Sequence, residues 1–255
     1  MVYTKKLIAT ITNFFIVIAK IMEFIKSIMC DLGMNAINTP TYLRLREQIR
    51  SDIVDGIWAL GSHVTLAQLS DHYQVSANPV REALLQLQGE GMVDMRMHRG
   101  AVIPAVDERY IDNLYQLRGA IQVALGREAA RRATAADLEV IDERHAAYVR
   151  AASSVDVAAC VLANRELHQF IDGLADNALA LDILRSRSGL VDAFRRAHGY
   201  GAGRLDIVVE QHAKIIAAMR ERDVDAVALS VLEHTESSRL DLLKLVRESG
   251  TAKPH

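Results

Sequence analysis

Residues Gln74–Val93 read QVSANPVREALLQLQGEGMV. Val80, Ala83, Leu84 and Leu87 recur at i, i+3, i+4 and i+7, the spacing that gathers apolar side chains on one face of an α-helix. Pro79 suits the first turn of that helix, where backbone N–H groups have no intrahelical partner. Ser76 or Asn78 can offer those groups a capping oxygen, and Gly91 ends the run. The next residues, MVDMRMHRGAVIP (Met92–Pro104), predict two short strands that turn at His98-Arg99-Gly100, where glycine admits a positive φ.

Upstream, TYLRLREQIRSDIVDG (Thr41–Gly56) places Leu45, Ile49, Ile53 and Val54 at helical spacing before a glycine stop, and LAQLSDHY (Leu66–Tyr73) gives a second, shorter helix. Three helices followed by a hairpin form a winged helix-turn-helix. Downstream of Asp107 no strand pattern occurs. The periodicity predicts helices over about 110–132, 135–152, 155–175, 178–198, 204–222 and 224–247, an all-α bundle whose core can hold a ligand. The expected fold is therefore mainly α: a winged helix over 39–106, a helical bundle over 107–247 and a tail over 248–255.

Composition bounds what such a chain can do. At 255 residues, half of them apolar, it can bury a sizeable core. Its two cysteines, Cys30 and Cys160, lie far apart and lack metal-type spacing, which argues against a disulfide scaffold or thiolate zinc site and suits a reducing cytoplasm. A net charge of −2 excludes gross attraction to nucleic acid or anionic membrane, so any DNA contact must be local. The first 38 residues differ from the rest. All 23 arginines lie after Thr39, whereas four of the seven lysines and eight isoleucines lie before it. The apolar run Leu7–Ala19 is broken by Lys20, Glu23 and Lys26, too early for the roughly 20 residues a membrane span needs. No small-residue cleavage site follows it. Residues 1–38 are therefore expected to be an extension outside the fold, with no membrane partner.

VSANPVREALLQLQGEGMV followed by HRGAVI resembles the recognition helix and wing of the GntR family of bacterial transcription regulators, and the upstream helices resemble the rest of that domain. The resemblance implies a double-stranded DNA operator and a homodimer. It places Ser76, Asn78 and Arg81 toward the major groove, and Arg99 with Gly100 on the wing. A free helix N-terminus also favours a phosphate. Arg81 lies off the buried face and can reach a guanine edge or a phosphate, or it can pair with Glu82 or Asp71. The chain departs from the family pattern at Ala77 and Ala67, where relatives often carry arginine. With six arginines against seven acids over residues 39–106, phosphate attraction is modest, and dimerisation must compensate.

Three histidines mark the second half. Asn164 and His168 stand four apart on one helix face, His212 falls in line with Val208, Ile215, Ile216 and Met219, and His234 follows Val227 and Val231. A histidine on an apolar face is ordinarily a core residue, but three on separate helices, with an amide oxygen at i−4, also suit a divalent ion such as zinc or nickel. NRELH, EQHAKIIAAMRERDVDAV and LEH resemble, in order and spacing, the metal site of the FCD domain, the helical effector-binding domain of one GntR branch. That resemblance assigns Asn164, His168, His212 and His234 as metal ligands. Arg118 aligns with an arginine of the FCD pocket that can clamp a carboxylate effector, or it can form an ordinary salt bridge. Many relatives carry aspartate in place of Asn164, which predicts weaker metal binding here and a more positive site. The implied function is a ligand-responsive repressor. The alternative is a metal-dependent enzyme, for which Asp172, one turn after His168, is the candidate general base.

Overall fold

The computed structural model describes residues 40–96, 99–186 and 188–250. The expectations for residues 1–38, for His98 and for the last five residues of the tail fall outside that set. The chain divides into two compact units, 1–44 and 45–255. Of the first, only residues 40–44 are described, and Thr41 opens the first helix.

Helix α1 (Thr41–Val54) buries Leu45, Ile49, Asp52 and Ile53. The Asp52 carboxylate is the unusual member of that face, and it is satisfied: Tyr73 Oη donates to it at 2.6 Å and Gln48 Nε2 at 2.9 Å, while Trp58 Nε1 donates to Tyr73 Oη at 2.8 Å. Helix α2 (Leu66–Tyr73) opens on a capping box in which Thr65 and Gln68 satisfy each other's backbone N–H groups. Helix α3 (Ala77–Gly89) buries Val80, Ala83, Leu84 and Leu87, the four residues of the apolar period.

The hairpin follows as β2 (Asp94–Arg96) and β3 (Gly100–Val102), and β3 also pairs with β1 (His63–Val64) in an antiparallel sheet of order β1-β3-β2. Strand β1 is not foreseen from the sequence, since two residues carry no alternation. Gly100 explains the close approach of these strands. Its φ is +95°, and a Cβ there would fall 2.1 Å from the Val64 carbonyl oxygen.

The second half contains α4 (Glu108–Arg132), α5 (Ala135–Ser153), α6 (Val157–Gly173), α7 (Ala178–Arg185), α8 (Ser188–His198), α9 (Arg204–Arg220) and α10 (Val224–Ser249). Asp107, Thr134, Asp156, Asn177 and Asp223 each cap their helix with a side-chain oxygen. The single helix expected over 178–198 is two helices. Ser186 leaves helical geometry at ψ 134°, and the hydroxyls of Ser186 and Ser188 bond back to the carbonyls of Ile183 and Arg185 at 2.7 and 2.8 Å, competing with the backbone ladder. Helix α8 then restarts against the winged helix. A Cβ on Gly189 would lie 2.6 Å from Met92 Sδ.

That approach belongs to one continuous apolar cluster. Leu45, Ile49, Val80, Leu84 and Met92 pack in the same group as Leu190, Val191 and Phe194 of α8 and Leu242, Leu243 and Val246 of α10. A second cluster lies among α4, α5, α6, α9 and α10, and a third, smaller one around Tyr148, Cys160 and Val208. His212 stands edge-on to Tyr148 of the third cluster, with ring centroids 4.9 Å apart.

Candidate functional site

The surface expected to face DNA is built from contiguous chain. Ser76 occupies the N-cap position of α3 in extended geometry, yet its hydroxyl forms no capping bond, so neither it nor Asn78, two residues into the helix, serves as the expected cap. Their polar groups face solvent at the free end of the helix, where its dipole favours an anion. Arg81 is exposed on the same turn and forms no ion pair with Glu82, Asp71 or any other described residue. Arg99 is exposed at the hairpin turn. Gly100 is buried beneath it against β1, where it shapes the wing.

The second site is assembled from distant chain. His168 on α6, His212 on α9 and His234 on α10 are all buried. His168 Nε2 stands 3.2 Å from His212 Nε2 and 3.1 Å from His234 Nε2. Nitrogens that each lie about 2.1 Å from one zinc ion are roughly 3.0–3.4 Å apart, so the donor set fits a single divalent ion. Burial, reinforced by Arg118, pushes His168 down to about 3, and burial and mutual repulsion hold His212 and His234 well below the ordinary histidine value. All three are therefore neutral at pH 7, the form that ligates metal. His234 Nδ1 lies 3.1 Å from Gln211 Oε1. An Nδ1–H donated to that oxygen leaves the Nε2 lone pair directed at the cluster.

Asn164, one turn before His168, is half-buried on the wall of the adjoining cavity and makes no hydrogen bond to the histidines among the described residues. Arg118 lines the same cavity, and it is not the salt bridge that was the other option. Its Nε donates to Gln122 Oε1 at 3.2 Å, and Gln122 in turn donates to the buried Asp172 carboxylate at 3.2 Å. Burial pushes Asp172 up to about 6. Asp172, Arg118 and His168 also line a second small recess.

Several lining residues carry no sequence motif: Tyr148, Asp192, Arg195, Tyr200, Arg204 and Ser238. Asp192 pairs with Arg165 at 3.2 Å, and Arg195 pairs with Asp241 and lies 4.6 Å over the Tyr200 ring. One signal existed. Arg204, Val208 and His212 fall at i, i+4 and i+8, so a charged residue shares the apolar face of α9. Among the described residues no helix is long and apolar enough to cross a membrane.

With this arrangement in view, residues 41–103 match the model of the bacterial regulatory proteins of the gntR family, and residues 113–237 match the FCD domain. The chain is 25% identical over 211 residues to the HTH-type transcriptional repressor RspR of Escherichia coli (strain K12), covering 83% of this chain and 92% of that one. It is 25% identical over 207 residues to the galactonate operon transcriptional repressor of the same strain, covering 73% and 90%. Among solved structures, E. coli McbR/YncC shares the fold with a TM-score of 0.69 at 18% identity, over 83% of this chain and 99% of that one. These relatives are regulators and not enzymes, which removes the hydrolase alternative and leaves Asp172 as a structural partner of Gln122. The residues matched by the first model form the winged helix and those matched by the second lie in the helical half that buries the three histidines, and the chain belongs to the GntR family of transcriptional regulators with a C-terminal FCD domain.

Proposed function

We propose that the protein is a cytoplasmic, dimeric repressor that binds a palindromic operator and responds to a small organic acid sensed beside a divalent metal in the helical domain. The observation that carries this reading is the triad of neutral, buried histidine nitrogens 3.1–3.2 Å from their central member, one of which, His234, lines a cavity that Arg118 also lines. His168, His212 and His234 would hold the ion, and Asn164 stands one turn from them to complete the shell. Zinc or nickel suits three imidazoles. A bound ion would supply a Lewis-acidic anchor for a carboxylate, which Arg118 is placed to orient. The exposed Ser76, Asn78, Arg81 and Arg99 support operator contact from the winged helix. Two repressor-named relatives support the sign of regulation.

The test combines three measurements on the purified full chain: operator selection from a random DNA pool, metal content by mass spectrometry, and sedimentation. A palindrome, near-stoichiometric zinc or nickel and a dimer support the proposal. Asn164→Asp should raise metal affinity and weaken binding of an anionic effector, because it adds one negative charge to the shell. Unaltered metal content in both Asn164→Asp and His168→Ala would leave the histidines as core residues.

A further inference from the structure

Arg204 opens α9 and is only 3% exposed. A buried guanidinium ordinarily requires a carboxylate, since an uncompensated charge in the interior is costly. Its partners here are all neutral. Nη1 donates to Ser237 Oγ at 2.6 Å and to Gln211 Oε1 at 3.3 Å, and Nη2 donates to Ser238 Oγ at 2.7 Å. Nε is buried with no partner among the described residues. The carboxylate whose charge acts on it, Asp241, is already paired with Arg195, so two buried guanidiniums share one counter-charge. The acid on the cavity wall, Asp192, is engaged by Arg165.

The surroundings repeat the deficit. Tyr148 Oη lines the same cavity, fully buried and without a partner. The N-cap of α9 is Gly203, which brings no side-chain oxygen to the first turn. Arg118 stands elsewhere on the wall with a neutral hydrogen-bond partner. The cavity therefore presents two guanidiniums, Arg118 and Arg204, neither of them in an ion pair. Its volume of about 60 Å³ compares with the roughly 10–15 Å³ that one water needs, so it takes only a short molecule.

We infer that Arg204 anchors a second anionic group of the effector, so that the cavity selects short dicarboxylates over monocarboxylates of the same chain length. One carboxylate is held at the histidine and Arg118 end, and the other at Arg204, Ser238 and Tyr148. This rests on the histidine cavity being the effector site. It extends that reading by naming the ligand class and the residue that discriminates.

The experiment is calorimetric titration of the full, metal-analysed chain with two matched pairs of probes, succinate against butyrate and malonate against propionate. At least one diacid should bind tenfold or more tightly than its monoacid. Arg204→Gln removes the charge while keeping a polar side chain, and it should bring that ratio close to one without weakening the monoacid. Equal affinities in the native chain would overturn the inference. So would an equal loss for both acids in the variant, because Arg204 would then act only through Gln211 on His234. If Arg204→Gln does not fold, Arg204→Lys takes its place: the ratio should fall by severalfold, and an unchanged ratio counts against the anchor. Binding of neither acid class, with metal present, overturns the effector site itself and this inference with it.

Discussion

The winged helix and the helical bundle bury and expose opposite things. In the winged helix the core is apolar and the polar residues of interest, Ser76, Asn78, Arg81 and Arg99, lie within 24 residues of one another and face solvent. In the bundle the residues of interest are inside, and they converge from 44 and 66 positions apart. Under the proposed function one surface would read a large, charged, external partner, for which contiguous exposed chain is enough. The other would surround a small molecule, for which several helices must each contribute a side chain to one enclosed point.

The difference is sharpest in acid. The histidines of the bundle have folded-state values depressed below the unfolded value of about 6.5, so the unfolded chain binds more protons between the two. Their contribution to stability is complete above about pH 6.5 and is lost progressively as pH falls below it, for His168 down to about 3. Asp172, raised to about 6, opposes them in part, because its cost is relieved as pH falls through that value. Denaturant titrations of the metal-free chain at pH 7.5, 6 and 5 should show a steep loss. A flat profile would mean the histidines are not buried in solution.

Gly100→Ala tests the other side of the comparison. The substituent meets the Val64 carbonyl oxygen at a φ of +95°, so β1 and β3 cannot keep their spacing. A loss of about 3 kcal/mol or more is expected, combining positive-φ strain with a backbone clash. Melting by circular dichroism would reveal it, and a change below 0.5 kcal/mol would show that the sheet is not formed as described.

Metal removal comes next in size. At free zinc a hundredfold above its dissociation constant, binding contributes about 2.7 kcal/mol, which for a chain of this size is a fall in Tm of roughly 5–11 °C on chelation. His212→Ala should abolish that sensitivity while the winged helix stays folded. A chelator effect that survives His212→Ala would place the metal elsewhere.

Arg81→Ala gives the smallest stability effect and the cleanest separation of the two regions. Because Arg81 is exposed and forms no ion pair, stability should change by less than about 0.5 kcal/mol, while operator affinity should fall by about 1–3 kcal/mol. Fluorescence anisotropy against the selected operator decides it, and unaltered affinity would remove Arg81 from the interface.

The sequence alone determined what depends on neighbours along the chain. The apolar period Val80, Ala83, Leu84 and Leu87, the turn into Gly100 and the faces that carry His168, His212 and His234 all follow from spacing of four residues or fewer, because helix and hairpin geometry is local. Tertiary structure alone decided the rest. The two-residue strand β1 exists only because β3 offers it a pairing edge, and the break at Ser186 is paired with the close packing of Gly189 against Met92. Arg204 carries no motif, and its place beside Ser237, Ser238 and the histidine cavity is set by the packing of α9 on α10, where residues 33 and 34 positions apart meet. The i, i+4, i+8 line of Arg204, Val208 and His212 hints at its burial, but missing counter-charge is a property of an assembled interior that no window of sequence reports.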